Sequence, residues 1–198
     1  MVLFPMKKNL SIFLLPLLFA STAVSQPVSF YKENLLMKLD ASHVTVTGEY
    51  SFRNNHGVET NQTIFFPLPL ATGELRLDSV SVFDETEQNY IRNVRKLRAG
   101  LFFQLTFHGQ EQKKLRIYYV MDHDGRNVRY LVMTHIQYWK KPLPQGTYTL
   151  QVEDPSILID STSYKPDDMV SDHTRTTHTW HMVKFNPDKE LDIWFHKK

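Results

Sequence analysis

Val44-Thr45-Val46-Thr47-Gly48-Glu49-Tyr50-Ser51-Phe52 decides the fold. Val44, Val46, Tyr50 and Phe52 alternate with Thr45, Thr47, Glu49 and Ser51. Such alternation sends one set of side chains to a buried face and the other to water, the period of a half-buried strand. The same pattern recurs in Leu101, Phe103, Leu105 and Phe107 against Gln104, Thr106 and His108. It recurs again in Leu115, Ile117, Tyr119 and Met121, in Val128, Tyr130 and Val132, and in Tyr148, Leu150 and Val152 against Thr147, Thr149 and Gln151. Tyr148 and Leu150 are therefore expected in the core and Thr149 outside it. No apolar pattern at i, i+3, i+4, i+7 runs for three helical turns, so no helix longer than two turns is expected after residue 26.

Turn chemistry separates these runs. Asn54-Asn55-His56-Gly57, His108-Gly109-Gln110, Asp122-His123-Asp124-Gly125 and Asn186-Pro187-Asp188-Lys189 all fall between strands. Asp-Gly supplies the positive φ of a tight hairpin, and Asn-Pro-Asp suits a type I turn. The expected fold is all-β, an antiparallel immunoglobulin-like β-sandwich of about ten strands. The longest loop is expected from Asp160 to Arg175, where Pro166 argues against a helix, and loops of that length are usually functional or mobile.

The N-terminal stretch carries Lys7 and Lys8, an apolar run from Leu10 to Ala20, and small residues at Ala23 and Ser25. Basic region, short apolar region and small residues at −3 and −1 make a secretory signal, with cleavage expected before Gln26. The apolar run is shorter than the roughly 20 residues of a membrane span, and Pro16 interrupts it. Residues 1–25 thus read as a cleaved leader and 26–198 as one β-sandwich domain, secreted or periplasmic, with no membrane span in the mature chain. There is no cysteine, which excludes disulfides, thiolate metal sites and cysteine nucleophiles. The 23 basic and 21 acidic residues nearly cancel, and Lys7 and Lys8 leave with the leader. A balanced charge excludes a dedicated nucleic-acid binder.

Two motifs carry a family likeness. The run Val44 to Asn54, ending Phe52-Arg53-Asn54, is followed by Ile64-Phe65-Phe66-Pro67-Leu68-Pro69. This resembles the opening of the domain in vault-protein and inter-α-trypsin-inhibitor chains, where a strand ending F-x-N precedes one ending F-P-L-P. Leu143-Pro144-Gln145-Gly146-Thr147-Tyr148-Thr149-Leu150-Gln151-Val152 resembles the strand entry of bacterial immunoglobulin-like modules, a Pro-Gly turn feeding a strand. The likeness implies a sandwich and, through it, an interaction module rather than an enzyme.

Candidate chemistry is sparse. His173, His178 and His181 lie near Asp172, yet His178 and His181 are three apart and face opposite sides of one strand, which one ion cannot bridge. Asp122 to Asn127 lacks the acids of a calcium loop and reads as a hairpin turn. Tyr138-Trp139 could stack on a glycan or end a strand with Trp139 buried. If Asn186 to Lys189 joins a hairpin, Phe185 opposes Glu190 and His181 opposes Trp194. Trp180 then shares a buried face with Leu191, Ile193 and Phe195. His181, Asp192, Trp194 and His196 share the outer face as a candidate ligand patch. No cofactor and no catalytic residue is indicated. The expected function is that of an exported, non-catalytic module working by binding or assembly at the cell envelope, its partner a protein or a glycan. The alternatives are a metal-assisted hydrolase using the late His/Asp cluster and a carbohydrate-binding domain.

Overall fold

The computed structural model describes residues 26–69, 77–97, 99–172 and 174–198. The expected leader and its expected cleavage site before Gln26, as well as His173, lie outside them. The described chain is nearly all β. Its strands are β1 (Val28–Leu39), β2 (His43–Asn54), β3 (Thr60–Pro67), β4 (Leu77–Asp84), β5 (Asn89–Tyr90), β6 (Arg95–Leu97), β7 (Gly100–Phe107), β8 (Gln112–Asp122) and β9 (Asn127–Tyr130). A single helical turn, α1 (Thr134–Gln137), precedes β10 (Leu143–Val152), β11 (Ile157–Thr162), β12 (Asp168–Ser171), β13 (Thr176–Phe185) and β14 (Leu191–Lys197).

Eight strands form one sheet in the order β12-β13-β10-β1-β2-β8-β4-β5, and β11-β14-β9 and β3-β7-β6 form two smaller ones. The expected wholly antiparallel arrangement is corrected at one place. β1 pairs antiparallel with β2 but parallel with β10, so the large sheet is mixed. The strands also outnumber the expectation, because β5, β6 and β12 are short edge pieces without an alternating apolar pattern. The expected loop from Asp160 to Arg175 holds the end of β11 and all of β12.

Alternation decides which face each strand buries. Cross-strand registers align Trp180, Tyr148, Leu35, Gly48, Ile117 and Val82 as one inward row across β13, β10, β1, β2, β8 and β4. All the side chains of this row are buried. Tyr148 and Leu150 are fully buried and Thr149 is not. Phe66 of β3 meets Tyr50 edge-on at 5.2 Å, and Tyr130 of β9 bonds Tyr50, so both small sheets cover this same face.

Several expected hairpin turns are crossings between sheets instead. Asp122 to Asn127 carries the chain from β8 in the large sheet to β9 in a small one. The Asp124 carboxylate accepts from the Arg126 and Asn127 amides, and Gly125 takes φ +78°, so the local turn chemistry is as expected while the pairing is not. Asn54, the last letter of the F-x-N motif, is buried and donates to the carbonyls of Val58 and His108, which pins two crossings to each other. The Asn186–Lys189 hairpin is corrected too. β13 has β10 on one edge and β12 on the other, and β14 has β11 and β9, so neither has an edge left for the other. Lys184, at φ +48°, also turns the chain out of extended geometry before Asn186 is reached.

Candidate functional site

β1 lies at the middle of the large sheet, and its inward phase reads Glu33, Leu35, Met37, Leu39. Glu33 is thus an acid in a core row, and it is 1% exposed. A buried carboxylate is tolerated only when donors replace its water. Three do so here. Tyr130, at the end of β9, donates its hydroxyl to Oε1. Tyr148 of β10 donates to Oε2 at 2.8 Å, and Nε2 of His135 in α1 meets the same oxygen at 2.9 Å. The Tyr130 proton is committed to Glu33, so at the 2.8 Å contact between the Tyr50 and Tyr130 hydroxyls the Tyr50 group is the donor.

Two Gly-x-Tyr repeats build this arrangement. A Cβ at Gly48 would stand 2.1 Å from the Tyr50 hydroxyl, so the Tyr50 ring lies back over Gly48 and reaches Tyr130 because that position has no side chain. Gly146 pairs with Glu33 across the parallel ladder, and a Cβ there would meet Leu143 at 2.9 Å and the Tyr148 ring at 3.5 Å. Tyr148 thereby leans over Gly146 toward the carboxylate. The expected Pro-Gly turn is replaced by this in-strand role, since Leu143 to Val152 is strand throughout. Burial first, and the Glu33 charge second, push the phenols of Tyr50, Tyr119, Tyr130 and Tyr148 above their ordinary value, which keeps them protonated as donors.

A cavity opens beside this cluster, with about 40 Å³ available to the centre of a water-sized sphere. Glu33, Tyr50, Tyr119 and Tyr130 line its buried end, whereas Phe30, Phe65, Thr134 and Trp139 are half-buried at its rim. The F-P-L-P motif contributes Phe66, Pro67 and Pro69 to the lining. Trp139 follows α1 and packs on Phe30 and Phe52 at 5.7 and 5.5 Å, and Phe30 stacks on His135 at 4.9 Å. Mostly aromatic walls with a few convergent polar groups describe a small-molecule site.

The expected patch is divided. Asp192, Trp194 and His196 do share one face of β14, but His181 stands on β13 in the large sheet, a consequence of the missing hairpin. His181 is exposed beside Asp168 at 3.5 Å, and His196 meets Asp160 at 2.6 Å. Asp192 is buried by a two-point contact with Arg129 at 2.6 and 3.2 Å. Trp180 is 1% exposed and Trp194 40%, the contrast expected from the hairpin register, although the hairpin itself does not form. His178 is buried against Trp180 while His181 is exposed, so the two do face opposite sides. Among the described residues no group of three His, Cys, Asp or Glu side chains is placed to hold a metal ion. Nor is any helix there long and apolar enough to cross a membrane.

A mixed eight-stranded sheet faced by two small antiparallel sheets, with a carboxylate-ended aromatic cavity between them, defines the class of protein by fold. No family model matches the sequence, and no curated protein does. Solved structures share the fold. A Legionella pneumophila protein proposed to bind nutrients aligns with a TM-score of 0.67 at 11% identity, over 87% of this chain and 68% of its own. An M1 zinc metallopeptidase variant from Deinococcus radiodurans aligns with a TM-score of 0.50 at 12% identity, over 85% of this chain and 42% of its own. Neither of these two is a vault-type or inter-α-trypsin-inhibitor-type domain. Identities this low speak for the fold alone.

Proposed function

We propose that this chain is an exported, non-catalytic binding module of the cell envelope, a β-sandwich whose ligand enters the aromatic cavity that ends on Glu33. The observation that carries this is a carboxylate buried in a core row and held by two phenols and an imidazole at the closed end of an aromatic-lined space. Both carboxylate oxygens are engaged and the phenols resist ionisation, so the cluster is built to hold a group in place rather than to move protons. The leader pattern supports export. The fold shared with a protein proposed to bind nutrients is compatible with a binding role.

Native mass spectrometry of the protein isolated gently from its own envelope tests this. A small-molecule adduct is expected on the wild type and not on Thr134→Phe, which fills the half-buried rim. An adduct retained by Thr134→Phe, or none on either, overturns the pocket as the site. A second reading places a glycan on the Asp192–Trp194–His196 face, favoured by the exposed Trp194 indole.

A further inference from the structure

We propose that the group taken by the Glu33 cavity is a primary alkylammonium head, from a free aliphatic amine or a lysine side chain. This rests on the cavity being the binding site. The charge is the first ground. Glu33 has only two phenols and the His135 ring upon it, and no lysine or arginine ion pair among the described residues. The other ring nitrogen of His135, Nδ1, is buried with no hydrogen-bond partner.

Unused acceptors are the second ground. A carboxylate offers about four lone-pair sites. Oε2 accepts from both Tyr148 and His135, whereas Oε1 has Tyr130 alone and retains one. The Tyr119 hydroxyl, on a side chain that is 1% exposed and lines the cavity, has no hydrogen-bond partner among the described residues. An ammonium group can donate to both.

The walls and the size agree. Phe30, Tyr50, Phe66 and Trp139 line the cavity, and aromatic rings favour a cation over an anion as a neighbour. A water needs about 10–15 Å³ of such centre-accessible space, so the 40 Å³ here suits a head of about three heavy atoms and is small for a sugar.

Calorimetric titration at neutral pH, with n-butylamine, 1-butanol and butyrate as probes, decides it. Nα-acetyl-lysine amide forms a fourth arm that separates the two sources. Butylamine or the lysine amide should bind at least about tenfold more tightly than 1-butanol, as a hydrogen bond to a charged group warrants. Butyrate should not bind. Glu33→Gln should remove that preference, and Thr134→Phe should block every arm. Should Glu33→Gln fail to fold, the wild-type series and Thr134→Phe suffice. Binding of one amine arm alone supports the head group and names its source. Butanol binding as tightly as the amines, butyrate binding at all, or neither amine binding, overturns the assignment. In that case, a different adduct lost from Thr134→Phe in native mass spectrometry would leave the cavity as the site.

Discussion

Tyr148 and Tyr50 belong to one hydrogen-bond chain but do unequal work in it. Tyr148 donates directly to the Glu33 carboxylate, and Tyr50 donates one step away, to Tyr130. Tyr148→Phe takes a donor from a buried charge and should cost about 1.5–3 kcal/mol, whereas Tyr50→Phe removes a neutral bond and should cost about 1 kcal/mol. Urea midpoints of the two variants check this, and equal losses would place Glu33 in water. Gly48→Ala should be as damaging as losing the Tyr50 bond or worse, since its Cβ would occupy the place of the Tyr50 hydroxyl. None of this needs a long-range contact to be half visible. Glu33 falls in phase with Leu35, Met37 and Leu39, and Gly-x-Tyr occurs at 48–50 and 146–148. His135 has no such signal, because a lone turn of helix between strands gives a histidine no periodicity to be read against.

Strand by strand, alternation predicts burial well because it is local. It places Tyr148 and Leu150 inside and Thr149 outside, whatever their neighbours. Trp180 inside and Trp194 outside are expected from a hairpin that does not form, and they hold because each strand alternates on its own. Leu150→Ala should cost about 2–5 kcal/mol and Thr149→Ala no more than about 0.5, and matched thermal melts compare them. Pairing is a different matter. The turns at Asp122–Asn127 and Asn186–Lys189 have ordinary turn residues, but whether they close a hairpin or cross to another sheet depends on which edges are already taken. β13 illustrates this, with both edges used, and its His178 bears a cost that no motif reveals. Both ring nitrogens of His178 are buried without partners, and burial lowers its pKa below the ordinary 6.5. Below that pH the unfolded chain takes up a proton that the folded chain refuses, so stability falls as pH falls. His178→Phe should therefore stabilise the protein, by about 1–3 kcal/mol from the relieved nitrogens, and more at about pH 5 than at about pH 8. A stabilisation independent of pH would mean that His178 takes up its proton as readily in the fold as in the unfolded chain.

For the whole molecule, the core carries four buried phenols, Tyr50, Tyr119 and Tyr148 from the large sheet and Tyr130 from β9, whose pKa values are raised above 10.0 by burial and by Glu33. Above that pH the unfolded chain loses protons that the folded chain keeps. Their contribution is complete below pH 10 and declines as pH rises beyond it, by about 1.4 kcal/mol per pH unit for each phenol. Urea unfolding across that range should show a steep loss, and a flat profile would mean that the four hydroxyls are open to water. Two candidate surfaces, the Glu33 cavity and the Trp194 face of β14, are reported on separately by the chain's three tryptophans. Trp139 stands at the cavity rim, Trp180 in the core and Trp194 on the exposed face. The most direct measurement is a titration of the ¹⁵N-labelled protein with the low-molecular-mass fraction of its own envelope extract, read at the three indole N–H resonances. Binding in the cavity should move Trp139 and leave Trp194 in place, with the shift lost in Thr134→Phe. Movement of Trp194 alone, or of none of the three, would contradict the account.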